Sequence, residues 1–177
     1  MNFRKTNLKG VFIIELEKHE DERGYFARAW CKKEFKVNKL NSNLAQANTA
    51  LSFQKGTLRG MHYQIAPYEE TKIIRCIRGA VFDVVIDLRP NSITYCEWLG
   101  MELSADNHTM LYVPEGFAHG YLTLENNAEV FYMVSQFYTP DSERGIRWDD
   151  PVFDIEWPKT SDLVISEKDK NWPAYVL

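Results

Sequence analysis

Little in this chain points to nucleic acid, membrane or redox chemistry. It has no block of lysine and arginine, and a net charge of -4 over 177 residues is weak, so a polyanion is a poor candidate partner. The three cysteines, Cys31, Cys76 and Cys96, show no CxxC spacing. An odd set of free thiols suits a reducing compartment, and none has a neighbour that marks it as a nucleophile. The apolar run at residues 11–14 is interrupted by Glu15, too early for a signal peptide or a membrane span. No repeat, low-complexity tract or Pro/Gly/Ser-rich linker divides the chain. What these absences leave is one cytoplasmic domain with enough apolar and aromatic residues for a full core.

The positive signal is a series of short strands. Alternation or apolar runs predict them at residues 11–16, 25–30, 45–53, 57–64, 71–77, 81–88, 96–103, 109–113, 121–124 and 129–137, with Gly, Pro, Asn and Asp in the gaps. Residues 19–24 read as a polar turn ending in glycine. Residues 32–40 are the best helix, with Phe35 and Leu40 on one face and Asn41-Ser42-Asn43 stopping it. In 81–88, Phe82, Val84, Ile86 and Leu88 take one face, and Val81, Asp83, Val85 and Asp87 the other. The expected class is all-β, a sandwich or barrel with one or two short helices and an ordered C-terminal tail.

The chemistry gathers around Thr57-Leu58-Arg59-Gly60-Met61-His62-Tyr63-Gln64. Arg59 is a fixed cation and His62 a titratable base, and both are costly to bury without partners. Gly56 stands six before His62, and Pro114-Glu115-Gly116-Phe117-Ala118-His119 supplies a second motif; together they have the spacing of a cupin, a double-stranded β-helix. A metal-binding cupin would carry a second histidine where Gln64 stands. His62 and His119 alone make a poor transition-metal set, even with Glu69 or Glu70 added, so no metal is expected. A carboxylate in Ser166-Glu167-Lys168-Asp169 is a candidate partner for His62, Tyr132 a candidate acid, and Lys72 and Arg59 candidate oxyanion donors. Those roles amount to proton abstraction beside a carbonyl. Taken singly, Tyr132 reads more readily as a core aromatic and Asp169 as a solvated tail charge.

These stretches resemble the dTDP-4-dehydrorhamnose 3,5-epimerase family over nearly the whole chain. The resemblance is carried by Asp21-Glu22-Arg23-Gly24-Tyr25-Phe26, Leu58 to Gln64, Lys72 with Arg75, Asp87-Leu88-Arg89, Val113 to Gly120, Arg144 to Pro151, and Leu163 to Asp169. It implies a metal-independent cupin jelly roll without cofactor: an arm with dimer strands at 1–50, a barrel at 51–140 and a tail at 141–177. It implies a homodimer acting on a nucleotide-diphosphate sugar, a dTDP-4-keto-6-deoxyhexose, inverting C3 and/or C5 in deoxysugar biosynthesis. Carried over, His62 is the base, Asp169 its partner and Tyr132 the acid. Arg59, Lys72 and His119 fall near the sugar, Tyr138 on the nucleobase, and Arg23, Gln46, Asn48, Glu143 and Lys168 at further substrate contacts. Arg23 would serve the neighbouring subunit. Arg28, Ala47, Thr49 and Met133 depart from the family pattern, which leaves open a single-carbon epimerase or a 3,4-ketoisomerase on another 4-keto nucleotide sugar. A non-catalytic sugar-nucleotide-binding cupin is the reading from another class.

Overall fold

The computed structural model describes residues 1–176; Leu177, the last residue of the expected tail, lies outside the described residues. In chain order the elements are β1 (Asn2–Lys5), β2 (Phe12–Glu15), β3 (Lys18–Asp21), β4 (Gly24–Ala27), α1 (Lys32–Val37), β5 (Gln46–Ser52), β6 (Thr57–Gln64) and β7 (Lys72–Arg78). There follow β8 (Ala80–Asp87), β9 (Trp98–Ser104), β10 (Met110–Val113), β11 (Phe117–Thr123), β12 (Ala128–Val134), β13 (Glu143–Gly145), β14 (Val164–Ile165) and α2 (Glu167–Lys170). One sheet has the order β1-β2-β10-β7-β12-β5; the other runs β13-β6-β11-β8-β9, with β14 parallel to β6. They face each other as a jelly roll, the all-β class expected from the strand spacing and the double-stranded β-helix expected from the two cupin-spaced motifs. β3 and β4 form a separate two-stranded ribbon.

The central strands are apolar on both faces because each sheet is covered twice. Between the sheets lie Ile13, Ile74, Val81, Val85, Leu103, Leu111, Val130 and Tyr121. Behind the first sheet, Phe35 of α1 packs on Ile14, Ile73, Met110 and Tyr112. Behind the second, the C-terminal segment lays Ile146, Phe153 and Trp157 against Met61, Phe82, Val84 and Ile86. The two faces of β8 are therefore the ones its alternation predicted, but both are buried, and Asp83 and Asp87 are fully buried with them.

Several boundaries differ from expectation for local reasons. β1 has no sequence signal because it is short and mostly exposed, with no alternating apolar pattern. The expected turn at 19–24 is mostly strand: β3 extends to Asp21, which pairs with Gly24, so only Glu22 and Arg23 make the turn. The strand expected at 25–30 begins a residue earlier and stops at Ala27. The helix ends at Val37, capped by Asn38, and Lys39 takes a positive φ of 59°. β11 starts at Phe117 rather than 121, so His119 lies within a strand and not in a loop.

Asp87 closes the end of β8. Its carboxylate accepts from Arg89 Nε (2.8 Å) and Nη2 (2.6 Å), Ser92 Oγ (2.6 Å) and Thr94 Oγ1 (2.7 Å). Burial alone would raise its pKa, but these donors outweigh it and hold the carboxyl down from 3.8 to about 2. A depressed carboxyl stabilises the fold above its ordinary value, and that stabilisation is lost as pH falls from about 4 towards 2. The shift corresponds to about 2 kcal/mol. Asp87→Asn is expected to lower stability by about that much at pH 7, with the gap to wild type closing as the pH falls through this window. Urea unfolding midpoints measured from pH 7 down to pH 2 check both the size and the sign.

Candidate active site

β6 and β11 lie side by side with an irregular register: His62 is opposite His119, but Arg59 is opposite Tyr121. Three steps along β6 therefore match two along β11. In a regular strand, residues three apart point to opposite faces; the extra residue in β6 turns both Arg59 and His62 to the inner face. Gly60 stands at that irregularity with φ of +127°, and a Cβ there would lie 2.5 Å from the Gly120 Cα. The two strands approach this closely only because both positions are glycine.

The inner face opens on a cavity of about 770 Å³ between the sheets, within the range of roughly 300–1,000 Å³ typical of small-molecule sites. His62, Tyr132, Asp169, Gln46, Asn48, Arg59, Lys72, His119, Tyr138 and Glu143 all line it. Lys168 sits at its edge and donates to Glu143 Oε2 at 2.6 Å. Arg23 does not join them: it pairs with Asp21 at the tip of the β3–β4 ribbon, 84% exposed.

His62 Nε2 and Asp169 Oδ1 are 2.6 Å apart, 107 residues apart in sequence. Asp169 is 4% exposed and is delivered by α2, whose N-cap Ser166 accepts from the Asp169 backbone N–H. Burial would raise the carboxyl's pKa, but the hydrogen bond and charge of His62, helped by Gly60 and Ser166, hold it below the ordinary aspartate range. An ionised carboxylate on Nε2 keeps the proton there and leaves the lone pair on Nδ1. His119 has an equivalent partner, with Nε2 2.8 Å from Oδ2 of buried Asp83.

Tyr132 comes from β12, in the opposite sheet to His62. Burial raises its phenol pKa, and the charge of Glu70 raises it further against a smaller opposing effect of Arg59. It is a neutral donor at physiological pH. Lys72 is buried and paired with Glu70 at 3.2 Å. At the mouth, Tyr138 OH donates to Glu143 Oε2 at 2.7 Å, and its backbone N–H donates to Gln46 Oε1 at 2.6 Å. Gln64 spends its side chain on structure: its amide donates to the Tyr68 and Phe137 carbonyls, and its oxygen accepts from Thr139.

Strand parity disposes of three of the four departures from the family pattern. Gln46, Asn48 and Ala50 of β5 line the cavity, so Ala47 and Thr49 point away and are exposed. Tyr132 and Val134 line it from β12, while Met133 packs on the outer cluster around Phe35. Arg28 pairs with Glu34 of α1 at 3.2 Å, outside the cavity. Tyr121 and Asp83 are site neighbours with no sequence signal of that role. Tyr121 is a cavity-lining phenol raised to about 12 by burial. Asp83 was legible only as one of a pair of aspartates on one strand face.

The family model for dTDP-4-dehydrorhamnose 3,5-epimerase matches residues 5–176. The chain is 46% identical to the dTDP-4-dehydrorhamnose 3,5-epimerase of Methanothermobacter thermautotrophicus, covering 96% of this chain and 92% of that one. The crystal structure of the Elizabethkingia anophelis enzyme of the same name superposes with a TM-score of 0.95 at 41% identity, over 99% of this chain and 96% of that one. The Bacillus anthracis enzyme of that name, solved with TDP and PPi bound, gives a TM-score of 0.94 at 38% identity, over 98% and 99% of the two chains. A 3′-monoepimerase from Streptomyces bikiniensis, in complex with dTDP-quinovose, is also similar, at 31% identity and a TM-score of 0.88 over 97% and 86%. The chain therefore belongs to the dTDP-4-dehydrorhamnose 3,5-epimerase family, isomerases of the epimerase class.

Proposed function

We propose that the protein inverts both C3 and C5 of a dTDP-4-keto-6-deoxyhexose of the glucose series. The observation that supports this reading is the pairing of a carboxylate-backed imidazole on one sheet with a protonated phenol on the facing sheet, across one cavity. Inversion needs a base on one side of the carbon and an acid on the other.

His62 Nδ1 takes the proton from the carbon beside the ketone, and the C–H electron pair moves to O4 as an enolate. Asp169 stabilises the imidazolium. Lys72, Arg59 and His119 are the groups available to stabilise the enolate oxygen. Tyr132 then gives its proton to the opposite face, and proton exchange with solvent restores Tyr132 and His62. The same cycle at the second carbon completes the double inversion. No electron leaves the substrate, so the chemistry calls for no redox cofactor. Tyr138 is proposed to stack on the nucleobase, with Gln46, Asn48, Glu143 and Lys168 fixing the remainder of the nucleotide sugar.

The ribbon β3–β4 supports a homodimer. A two-stranded hairpin is marginal alone, and this one carries Phe26 68% exposed. Docked on a second copy, it would bury Phe26 and bring Arg23 to that copy's cavity. A cytoplasmic enzyme is the setting we infer; among the described residues no helix is long and apolar enough to cross a membrane.

The related 3′-monoepimerase keeps a single-carbon reading open. Proton NMR in D2O with dTDP-4-keto-6-deoxyglucose separates the outcomes. Deuterium at both C3 and C5 with inverted product is expected. Uptake at one carbon indicates a monoepimerase, a migrated keto group a ketoisomerase, and no uptake with retained affinity a binding protein.

A further inference from the structure

We propose that Trp172, seated in the notch left by Gly145, is a positioning residue that aligns the Asp169 carboxylate with His62. This rests on the catalytic reading of that pair. Three donors converge on the carboxylate: His62 Nε2 on Oδ1 at 2.6 Å, Trp172 Nε1 on the same Oδ1 at 3.4 Å, and the Gly60 N–H on Oδ2 at 3.4 Å. Two donors on one oxygen and one on the other fix the rotation of the carboxylate about its own bond, which a single imidazole does not.

The indole is itself held from three sides. Its ring lies where a Cβ on residue 145 would be, so only glycine there admits it. Gly145 is the register partner of His62 in the β13–β6 pairing, which brings the ring against the base's own strand. The indole meets the imidazole edge-on, with centroids 6.3 Å apart at 69°, and Lys168 Nζ lies 5.5 Å above it. Trp172 touches the general base's partner and the base itself, yet it is absent from the cavity lining. It acts on the reaction through Asp169.

Trp172→Phe keeps a ring and deletes the N–H. A carboxylate with one donor fewer holds an imidazolium more tightly, so the acid limb of the kcat/KM profile is expected to rise by about half a pH unit. Looser alignment should lower kcat by about fivefold with KM nearly unchanged. Gly145→Ala leaves Trp172 in the chain but expels its ring, and should reproduce the same shift. Neither variant substitutes another ionisable group of the cavity or its edge: Arg59, Tyr63, Glu70, Lys72, His119, Tyr121, Tyr132, Tyr138, Glu143 and Lys168 are all retained.

A second readout needs no substrate. Protonated imidazole quenches a neighbouring indole, so emission should titrate with the His62–Asp169 pair in wild type. That component should vanish in both Trp172→Phe and His62→Asn, leaving the other four of the five tryptophans as a constant background. An unmoved acid limb in both variants, or a fluorescence titration that survives Trp172→Phe, overturns the proposal. Failure of the catalytic reading shows separately, as wild-type protein that exchanges no deuterium.

Discussion

His62→Asn is expected to abolish deuterium uptake at both C3 and C5 and to lower kcat/KM by about 10⁴-fold, the upper end of what a positioned general base supplies. One ring serves both carbons in this account, so both exchanges should disappear together. Asparagine can occupy the site and still donate to Asp169, but it accepts no proton from carbon. The His62 side chain is 33% exposed, so the fold should tolerate the change and the loss should be chemical. Proton NMR in D2O at high enzyme concentration measures it. A variant retaining more than about one hundredth of wild-type exchange would remove His62 from the role of sole base.

Tyr132→Phe should behave differently. With His62 intact, the C–H proton is still removed and can return from the same side, so exchange with solvent persists. Inverted product, which needs a proton from the facing sheet, should fall by about 10³-fold. The ratio of exchange to inversion is the diagnostic quantity, near unity in wild type and large in the variant. Equal losses of exchange and inversion would mean that Tyr132 supports enolate formation and is not the second proton donor. Phenylalanine keeps the ring volume, so its melting temperature should stay close to that of wild type.

The strands were legible because their faces are. The alternation in 81–88 assigns Val81, Asp83, Val85 and Asp87 to one side, and they lie there. What alternation cannot say is what covers the other side, so a strand buried twice looks the same as one exposed once. The spacing of Arg59 and His62 misleads in the same way. Read as a regular strand they diverge, and only the uneven match of β6 to β11 turns both inward. Asp169 was beyond any argument from spacing: it meets His62 across 107 residues, and where the residues alone offered only some carboxylate of the 166–169 stretch, the family resemblance singled it out. Trp172 carried no signal at all, since its role depends on an empty volume at residue 145, which no local pattern records. The four departures looked like changes to the ligand's surroundings; strand parity and the Arg28–Glu34 pair put them elsewhere in this chain.

The base and its carboxylate belong to regions of unequal tenacity. His62 is anchored in a sheet buried on both faces, whereas Asp169 rides on a four-residue helix that reaches the barrel through a two-residue parallel strand. Mild heat or dilute denaturant can therefore peel the trailing end away while the sandwich survives, giving a protein that remains folded and silent.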